Sequence, residues 1–148
     1  MAFVAEPRRV NPLLRLGIRI SERITGKPMM PARLLAWVPR AALGSAALES
    51  LVTHHDRTVS DRTLKLVRIT ASFTAQCPFC IDMNSFEYDR IGITDPELSA
   101  LRAGIEERLS TLTEREQVAI RYARLISATP LDFPPEFITR LHVGFHGA

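Results

Sequence analysis

Apolar residues recur along most of the chain at intervals of three and four, the spacing that places them on one face of a helix. The stretch 61–75 shows this pattern well, with a broad apolar face that includes Leu66 and Ile69. Opposite that face runs a polar stripe made of Asp61, Lys65, Arg68 and Ser72. No segment alternates apolar and polar residues between hairpin turns, and the chain has no internal repeat. The pattern predicts an all-α fold of several helices.

Capping residues, prolines and glycines predict where these helices begin and end. Start signals stand at Asn11-Pro12, Ser60, Thr94 and the capping box formed by Thr113 and Glu116. Gly26 and Gly92 are stop signals. The helices are expected over about residues 12–25, 31–38, 39–54, 61–75, 77–91, 94–103, 114–128 and 136–144. A loop is expected around His54, His55 and Asp56.

The composition is that of an ordinary soluble globular protein, with 46% hydrophobic and 24% charged residues. At 148 residues the chain is expected to form one domain. No apolar run approaches the ~20 residues that cross a bilayer, and the start MAFVAEPRRV does not resemble a secretory signal. These observations predict a cytoplasmic protein without a membrane partner.

The net charge of +3 and the isoelectric point of about 9.3 come mostly from arginine. Lys27 and Lys65 are the only lysines among the 19 basic residues. The basic residues are scattered and interleaved with acids, whereas a nucleic-acid reader gathers them on one face. The sequence therefore predicts no nucleic-acid partner.

Both cysteines lie in the stretch FTAQCPFCIDMNSFEYDRIG, where Cys77 and Cys80 are three residues apart. At that spacing on a helix, two sulfurs share a face and can approach within disulfide range. A helix N-terminus also favours thiolate and lowers a cysteine pKa from ~8.5 to as little as ~3.5–7.5. The pair is typical of a reactive thiol with a resolving partner one turn away.

The predicted helix over 77–91 also assigns faces to the residues around the cysteines. One stripe holds Cys77, Cys80, Asn84 and Glu87, with Glu87 as the best candidate for a general base. The neighbouring stripe, made of Phe79, Met83 and Phe86, is expected to face the core, as is Trp37 elsewhere in the chain. The cysteines are therefore expected at the border of the core, within reach of a small ligand.

Two other interpretations of the cysteine pair remain open. The two residues can be small, buried and chemically inert. They can also supply two thiolates to a metal together with His142 and His146, but sixty-one residues intervene and Gly144 weakens the helix between the histidines. The residues therefore predict no metal and no organic cofactor.

Two segments, LKLVRITASFTAQCPFCIDMNSFEYDRIGITDPELSAL and LTEREQVAIRYARLISATPLDFPPEFITRL, resemble the carboxymuconolactone decarboxylase-like superfamily. The likeness is to its alkyl hydroperoxidase D-like branch and covers about residues 31–143. It implies an all-helical core over 31–148, preceded by a helical extension over 1–30. It also implies a homo-oligomer, often a trimer or hexamer, whose cysteine pair reduces peroxides or exchanges with small disulfides at the expense of a thiol donor.

The active members of that branch relay a proton through a histidine and a glutamate, and both are replaced here. The histidine position, four residues after the second cysteine, is Asn84, and the glutamate position, twelve before the first, is Lys65. Asparagine has no titratable group and cannot accept the proton. Lys65 can support a thiolate by its charge, or can simply extend the solvated polar stripe.

The leading hypothesis is thus a thiol-dependent peroxidase or disulfide reductase that uses this cysteine pair. The resemblance assigns the attack to Cys80 and the resolution of the sulfenic acid to Cys77, whereas the position of Cys77 nearer the helix end favours the reverse order, so both orders stay open. Its alternative is an inactive family member that serves as an oligomeric scaffold or binding protein. The decarboxylase chemistry of the superfamily's name is less expected, because that branch lacks the cysteine pair.

Overall fold

The computed structural model describes residues 5–52 and 58–146, and within them it contains eight α-helices and no strand. The helices are α1 Pro12–Thr25, α2 Met30–Leu35, α3 Pro39–Val52, α4 Asp61–Thr74, α5 Pro78–Asn84, α6 Asp95–Ala103, α7 Glu114–Ser127 and α8 Pro135–His146. Two 3₁₀ turns cover Asp89–Ile91 and Glu106–Arg108. The all-α prediction is confirmed. The loop expected at His54, His55 and Asp56 lies outside the described residues.

Most predicted helix ends agree with the structure because local hydrogen bonds fix them. Asn11 accepts the backbone N–H of Leu13 at 2.9 Å at the start of α1. Ser60 accepts the N–H of Thr63 at 3.1 Å at the start of α4. The starts of α6 and α7 carry capping boxes, Thr94 with Glu97 and Thr113 with Glu116. No helix of the described part is both long and apolar enough to cross a membrane.

The residues form two compact units, Met1–His55 and Asp56–Ala148. In the first unit, α3 contacts both α1 and α2. An ion pair of 2.6 Å between Glu22 and Arg33 also joins α1 to α2. The expected single domain with an extension over 1–30 stays a prediction.

The first unit buries little of its apolar surface. Its buried apolar residues, among those described, are Ala36 and Ala42, and no residue of α1 or α2 is buried. The prediction that Trp37 packs in the core is wrong, since 56% of it is exposed. Its indole N–H instead donates to the carbonyl of Ala5 at 2.8 Å.

The second unit is built around α4, which packs against α5, α6 and α7, while α8 packs against α7. Its core consists of Leu66, Ile69, Ile93, Leu101, Leu112 and Ile120. Burial of this apolar surface is the main force that holds α4 in place. Since α5 packs against α4, the core packing that holds α4 in place also positions the segment that bears the cysteines.

Arg62, in the first turn of α4, connects that helix to α6 and α7. Its guanidinium bonds Glu97 and Glu116, each at 2.8 Å, and also donates to the carbonyl of Gly92. Burial by itself would raise the pKa of Glu97, but hydrogen bonds from Arg62, the Thr94 backbone and Thr111 outweigh it and lower the pKa to about 2. The carboxylate of Glu97 is therefore held as an anion within the fold.

The predicted helix over 77–91 is wrong, because the chain leaves the helix after Asn84. Ser85 ends α5, Glu87 adopts a left-handed conformation with φ 53°, and the 3₁₀ turn then ends at Gly92. Tyr88 and Ile91 pack against the core after this turn. The break after Asn84 therefore accompanies packing of Tyr88 and Ile91 against the core, a case in which tertiary contacts override local helix propensity.

Candidate functional site

The cysteine pair lies at the junction of α4 and α5. The chain reverses at Gln76, a non-glycine residue in the left-handed region with φ 50°. Cys77 follows in extended conformation as the N-cap of α5, and Pro78 occupies the first helical position. The backbone N–H of Cys77 donates to the carbonyl of Ser72 at 3.3 Å. The left-handed residue and this bond turn the first cysteine back toward α4.

Cys77 and Cys80 are joined by a disulfide bond, and their Cα atoms are 5.2 Å apart. The backbone N–H of Cys80 also points at the sulfur of Cys77, with an N···S distance of 3.3 Å. Both residues are half-buried. The two cysteines are therefore not buried thiols, since the sulfurs are bonded to each other and the residues are half-buried.

The two residues between the cysteines are exposed. The prediction that Phe79 faces the core is wrong, because 42% of it is accessible, whereas Met83 and Phe86 are half-buried. The cause is the orientation of α5, which turns Asn84 toward α4 and leaves Phe79 on the outer side. An exposed proline and an exposed aromatic ring thus stand beside the disulfide. The spacing of apolar residues did not predict the exposure of Phe79. The signal that could have predicted it is the position of Phe79 between the two cysteines of the CxxC.

Asn84 connects α5 to α4 by a side-chain hydrogen bond. Its amide nitrogen donates to the hydroxyl of Ser72 at 2.9 Å, and that hydroxyl donates to the Arg68 carbonyl at 2.7 Å. Ser72 is buried, with 4% of its surface accessible. Asn84 therefore makes a contact between α5 and α4.

The side chain of Lys65 contacts the chain just after the C-terminus of α5, whereas the cysteines lie at its N-terminus. Its ammonium donates to the carbonyl of Phe86 at 2.7 Å. Burial, together with the charge of Arg68, lowers the pKa of Lys65, while the charge of Glu87 acts in the opposite direction. Seven helical residues of α5 span roughly 10 Å, so this ammonium and the disulfide stand at opposite ends of a short helix.

The polar stripe of α4 is not a solvated face. Asp61 is exposed, but Lys65 and Arg68 are half-buried and Ser72 is buried. The stripe carries the contacts from α4 to Asn84 and Phe86. Of the two open interpretations of Lys65, the one in which it only extends a solvated stripe does not fit, since its ammonium donates to the Phe86 carbonyl and the residue is half-buried.

Glu87 does not share the face of the cysteines, because α5 ends three residues before it. Its carboxylate pairs with Arg90 at 2.8 Å, and 35% of its side chain is exposed. The expected common stripe of Cys77, Cys80, Asn84 and Glu87 is therefore wrong at its last member. The structure brings Cys77 and Cys80 together and leaves Glu87 beyond the turn.

The metal interpretation requires the cysteine sulfurs as free thiolates, whereas here they are bonded to each other. His142 lies on α8 and is exposed, and the side chain of His146 is outside the described set. Among the described residues, no three histidine, cysteine or acidic side chains are grouped so that they could hold a metal ion.

Comparison with known proteins gives no match to a family model, a curated protein or a solved structure. The resemblance to the alkyl hydroperoxidase D-like branch accordingly rests on the residues quoted above.

Proposed function

We propose that the protein is a thiol–disulfide oxidoreductase that, in its reduced form, consumes peroxides in the manner of the alkyl hydroperoxidase D-like branch. The observation that carries the proposal is the half-buried disulfide between Cys77 and Cys80 at the start of α5. A bond between two sulfurs one helical turn apart is the oxidised form of a two-electron couple.

The reaction with a peroxide ROOH begins with both cysteines reduced. The thiolate of Cys80 attacks the terminal peroxide oxygen, the O–O bond breaks, and the released alkoxide takes a proton from water and leaves as ROH. Cys80 is then a sulfenic acid. The thiolate of Cys77 attacks its sulfur, hydroxide leaves, and the disulfide forms. A dithiol donor finally reduces that disulfide and becomes a disulfide itself, so two electrons pass from donor to peroxide.

The resemblance assigns the attack to Cys80 and the resolving step to Cys77. The N–H of Cys80 lies 3.3 Å from the sulfur of Cys77, where it stabilises negative charge on that atom. A stabilised thiolate at Cys77 is available when the neighbouring sulfur becomes a sulfenic acid. The reverse order of attack uses the same couple and is distinguished by the residue on which the sulfenic acid forms.

The proposed site works without the relay of the resembled branch. Asn84 donates to Ser72, and Lys65 donates to the Phe86 carbonyl, so neither side chain takes a proton from a thiol. Water then serves as the proton acceptor. The rate is expected to follow the thiolate fraction and to rise with pH until the attacking cysteine is ionised.

Single-turnover peroxide consumption by the reduced protein tests the proposal. Cys80→Ser should abolish consumption of hydrogen peroxide and of cumene hydroperoxide. Cys77→Ser should consume one equivalent and retain a sulfenic acid at Cys80, trapped by dimedone and located by mass spectrometry. Sulfenic acid on Cys77 in the Cys80→Ser variant would reverse the order of attack. A wild-type protein that neither consumes peroxide nor exchanges with a small disulfide would contradict the proposal itself.

A second candidate function is an inactive member of the same branch that acts as a scaffold or binding protein. The specific observation in its favour is that Asn84 and Lys65 both serve structural contacts, Asn84 with Ser72 of α4 and Lys65 with the Phe86 carbonyl in the turn after α5. The double change Asn84→His with Lys65→Glu separates the two candidates. Peroxidase activity that arises only in this variant supports the scaffold, whereas activity already present in the wild type supports the enzyme.

The proposal includes a cytoplasmic location and assembly as a homo-oligomer, a trimer or a hexamer. Apolar side chains exposed on the second unit favour association of copies, among them Ile126, Ile138 and Val143. Analytical ultracentrifugation of the full chain measures the number of copies. A monomer at all accessible concentrations would contradict this part of the proposal.

A further inference from the structure

Helix α1 presents an apolar stripe to the outside of the first unit. Leu13, Leu16, Ile20 and Ile24 recur at helical spacing, and 79%, 54%, 50% and 71% of their surfaces are exposed. At 100° per residue these four side chains fall within about 80° of the helix circumference. A continuous exposed row of this kind marks an interaction surface rather than scattered surface leucines.

The fold of the first unit uses a different face of α1. Leu14 and Ile18 are half-buried, and α1 contacts α3. These two residues are centred about 135° around the helix from the centre of the exposed stripe. The unit's own packing therefore leaves the stripe unused.

The remaining face of α1 is basic. It carries Arg15, Arg19 and Arg23, and within the described part of the chain their guanidinium groups form no ion pair or hydrogen bond. The one acid of the helix, Glu22, is occupied by Arg33 at 2.6 Å and 3.0 Å. Helix α1 thus carries an exposed apolar stripe with arginines beside it, and no acidic side chain described in the first unit pairs with those arginines.

We propose that α1 lies flat on an anionic lipid surface, with its apolar stripe inserted at the level of the headgroups. A helix with one strongly apolar face and arginines beside it has the features of interfacial membrane-binding helices. Its fourteen residues extend about 21 Å in the plane of the membrane. The arginine stems can reach outward so that their guanidinium groups meet lipid phosphates.

Charge complementarity favours lipid over a second copy of the same face. Two α1 helices joined through their stripes would bring two rows of arginine together, and like charges at an interface oppose association. An anionic membrane surface supplies the opposite charge. The expectation that the protein has no membrane partner rested on the lack of a spanning segment, and a helix lying on the surface needs none.

Co-sedimentation of the full chain with lipid vesicles tests the proposal. The wild type should sediment with vesicles of equal parts phosphatidylcholine and phosphatidylserine and much less with phosphatidylcholine alone. The double change Arg19→Gln with Arg23→Gln should weaken binding roughly thirty-fold, as expected for two basic residues near an anionic surface. Leu16→Ser with Ile20→Ser should weaken it at least roughly ten-fold through loss of inserted apolar area.

Leu43→Ser with Leu48→Ser is the matched control, since these leucines are exposed to 64% and 62% on α3 of the same unit. This variant should bind as the wild type does. Equal loss in the control would reveal general adhesion of apolar surface and overturn the proposal. Absence of vesicle binding by the wild type would also overturn the proposal. If Leu16→Ser with Ile20→Ser instead dissociates an oligomer, the apolar stripe binds a second copy of the chain and the proposal is likewise overturned. Circular dichroism establishes that each variant folds.

Discussion

The amide of Asn84 donates a hydrogen bond of 2.9 Å to the hydroxyl of Ser72, and this bond ties α5 to α4 one turn beyond Cys80. Ser72 in turn donates to the carbonyl of Arg68 at 2.7 Å. A short chain of polar groups therefore runs between the two helices. The contact couples the orientation of the cysteine-bearing helix to the core helix.

Asn84 and Ser72 should show energetic coupling in a double-mutant cycle. Asn84→Ala and Ser72→Ala each remove one partner, and the two effects should fall short of additivity by about 1 kcal/mol, the usual net value of such a bond. Urea unfolding of the wild type, both single variants and the double variant gives the coupling. Additive effects would show that the bond contributes nothing to the free energy of unfolding.

The reduced cysteines should have unequal acidity. The N–H of Cys80 faces the sulfur of Cys77, so we expect the pKa of Cys77 to lie below the ordinary ~8.5 and below that of Cys80. Alkylation of the reduced protein across a pH series, read at each cysteine by mass spectrometry, measures both values. Slow alkylation of both thiols with ordinary or raised pKa would favour the scaffold function.

Lys65→Met should leave the pH dependence of cysteine alkylation unchanged. The ammonium of Lys65 binds the Phe86 carbonyl, roughly 10 Å along α5 from its N-terminus. The substitution should instead lower the free energy of unfolding by about 1 kcal/mol, because that carbonyl loses its donor. A rise in the pKa of either thiol on substitution would restore Lys65 as an electrostatic partner of the cysteines.

Glu97 should make the stability of the second unit depend on acid pH. The pKa of Glu97 is about 2 in the fold, against an ordinary 4.5. The stabilisation that its carboxylate gives the folded state is therefore complete above the pKa of the unfolded chain and is lost as the pH falls toward 2. The difference between these two pKa values corresponds to about 3 kcal/mol in the free energy of unfolding. Glu97→Gln should therefore cost about that much at neutral pH and progressively less in acid.

Glu114→Gln is the control for this experiment, since Glu114 is 84% exposed and lies 3.9 Å from Arg140. Such a surface pair contributes little, so its loss should change the free energy of unfolding by less than about 0.5 kcal/mol. Guanidinium unfolding from neutral pH to acid pH compares the two variants. Parallel pH profiles for Glu97→Gln and the wild type would contradict the lowered pKa.

Phe79→Ala should alter substrate choice and leave stability nearly unchanged. The ring is 42% exposed beside the disulfide, so its removal creates little cavity and should cost less than about 0.5 kcal/mol. Under the proposed function, turnover of cumene hydroperoxide should fall relative to that of hydrogen peroxide, which has no apolar group to contact. Equal loss with both peroxides would mean that the ring does not bind substrate.

Local chemistry explains which parts of this fold could be predicted from the sequence. The ends of α1, α4, α6 and α7 follow from capping residues that satisfy N–H groups within a few positions. The break after Asn84 depends on packing of Tyr88 and Ile91 against distant core residues, which a local pattern does not contain. The ion pairs of Arg62 join residues 35 and 54 positions apart and carry no periodic signal.

The candidate site divides in the same way. The proximity of Cys77 and Cys80 follows from their spacing alone. The exposure of Phe79 depends on how α5 is rotated against α4, and the position of Glu87 depends on where α5 ends. Both are properties of tertiary contacts, and the assumption of one long helix therefore misassigned them.

The arrangement around Arg62 also bears on how the chain acquires its structure during synthesis. Its partners Glu97 and Glu116 are translated long after α4, so a nascent α4 carries its apolar face and a cation without their final neighbours. Domains fold as units once their sequence has left the ribosome, and exposed apolar surface before that point favours aggregation. The second unit can close only after α7 has emerged, and truncation between residues 97 and 116 should yield a chain that depends on chaperones.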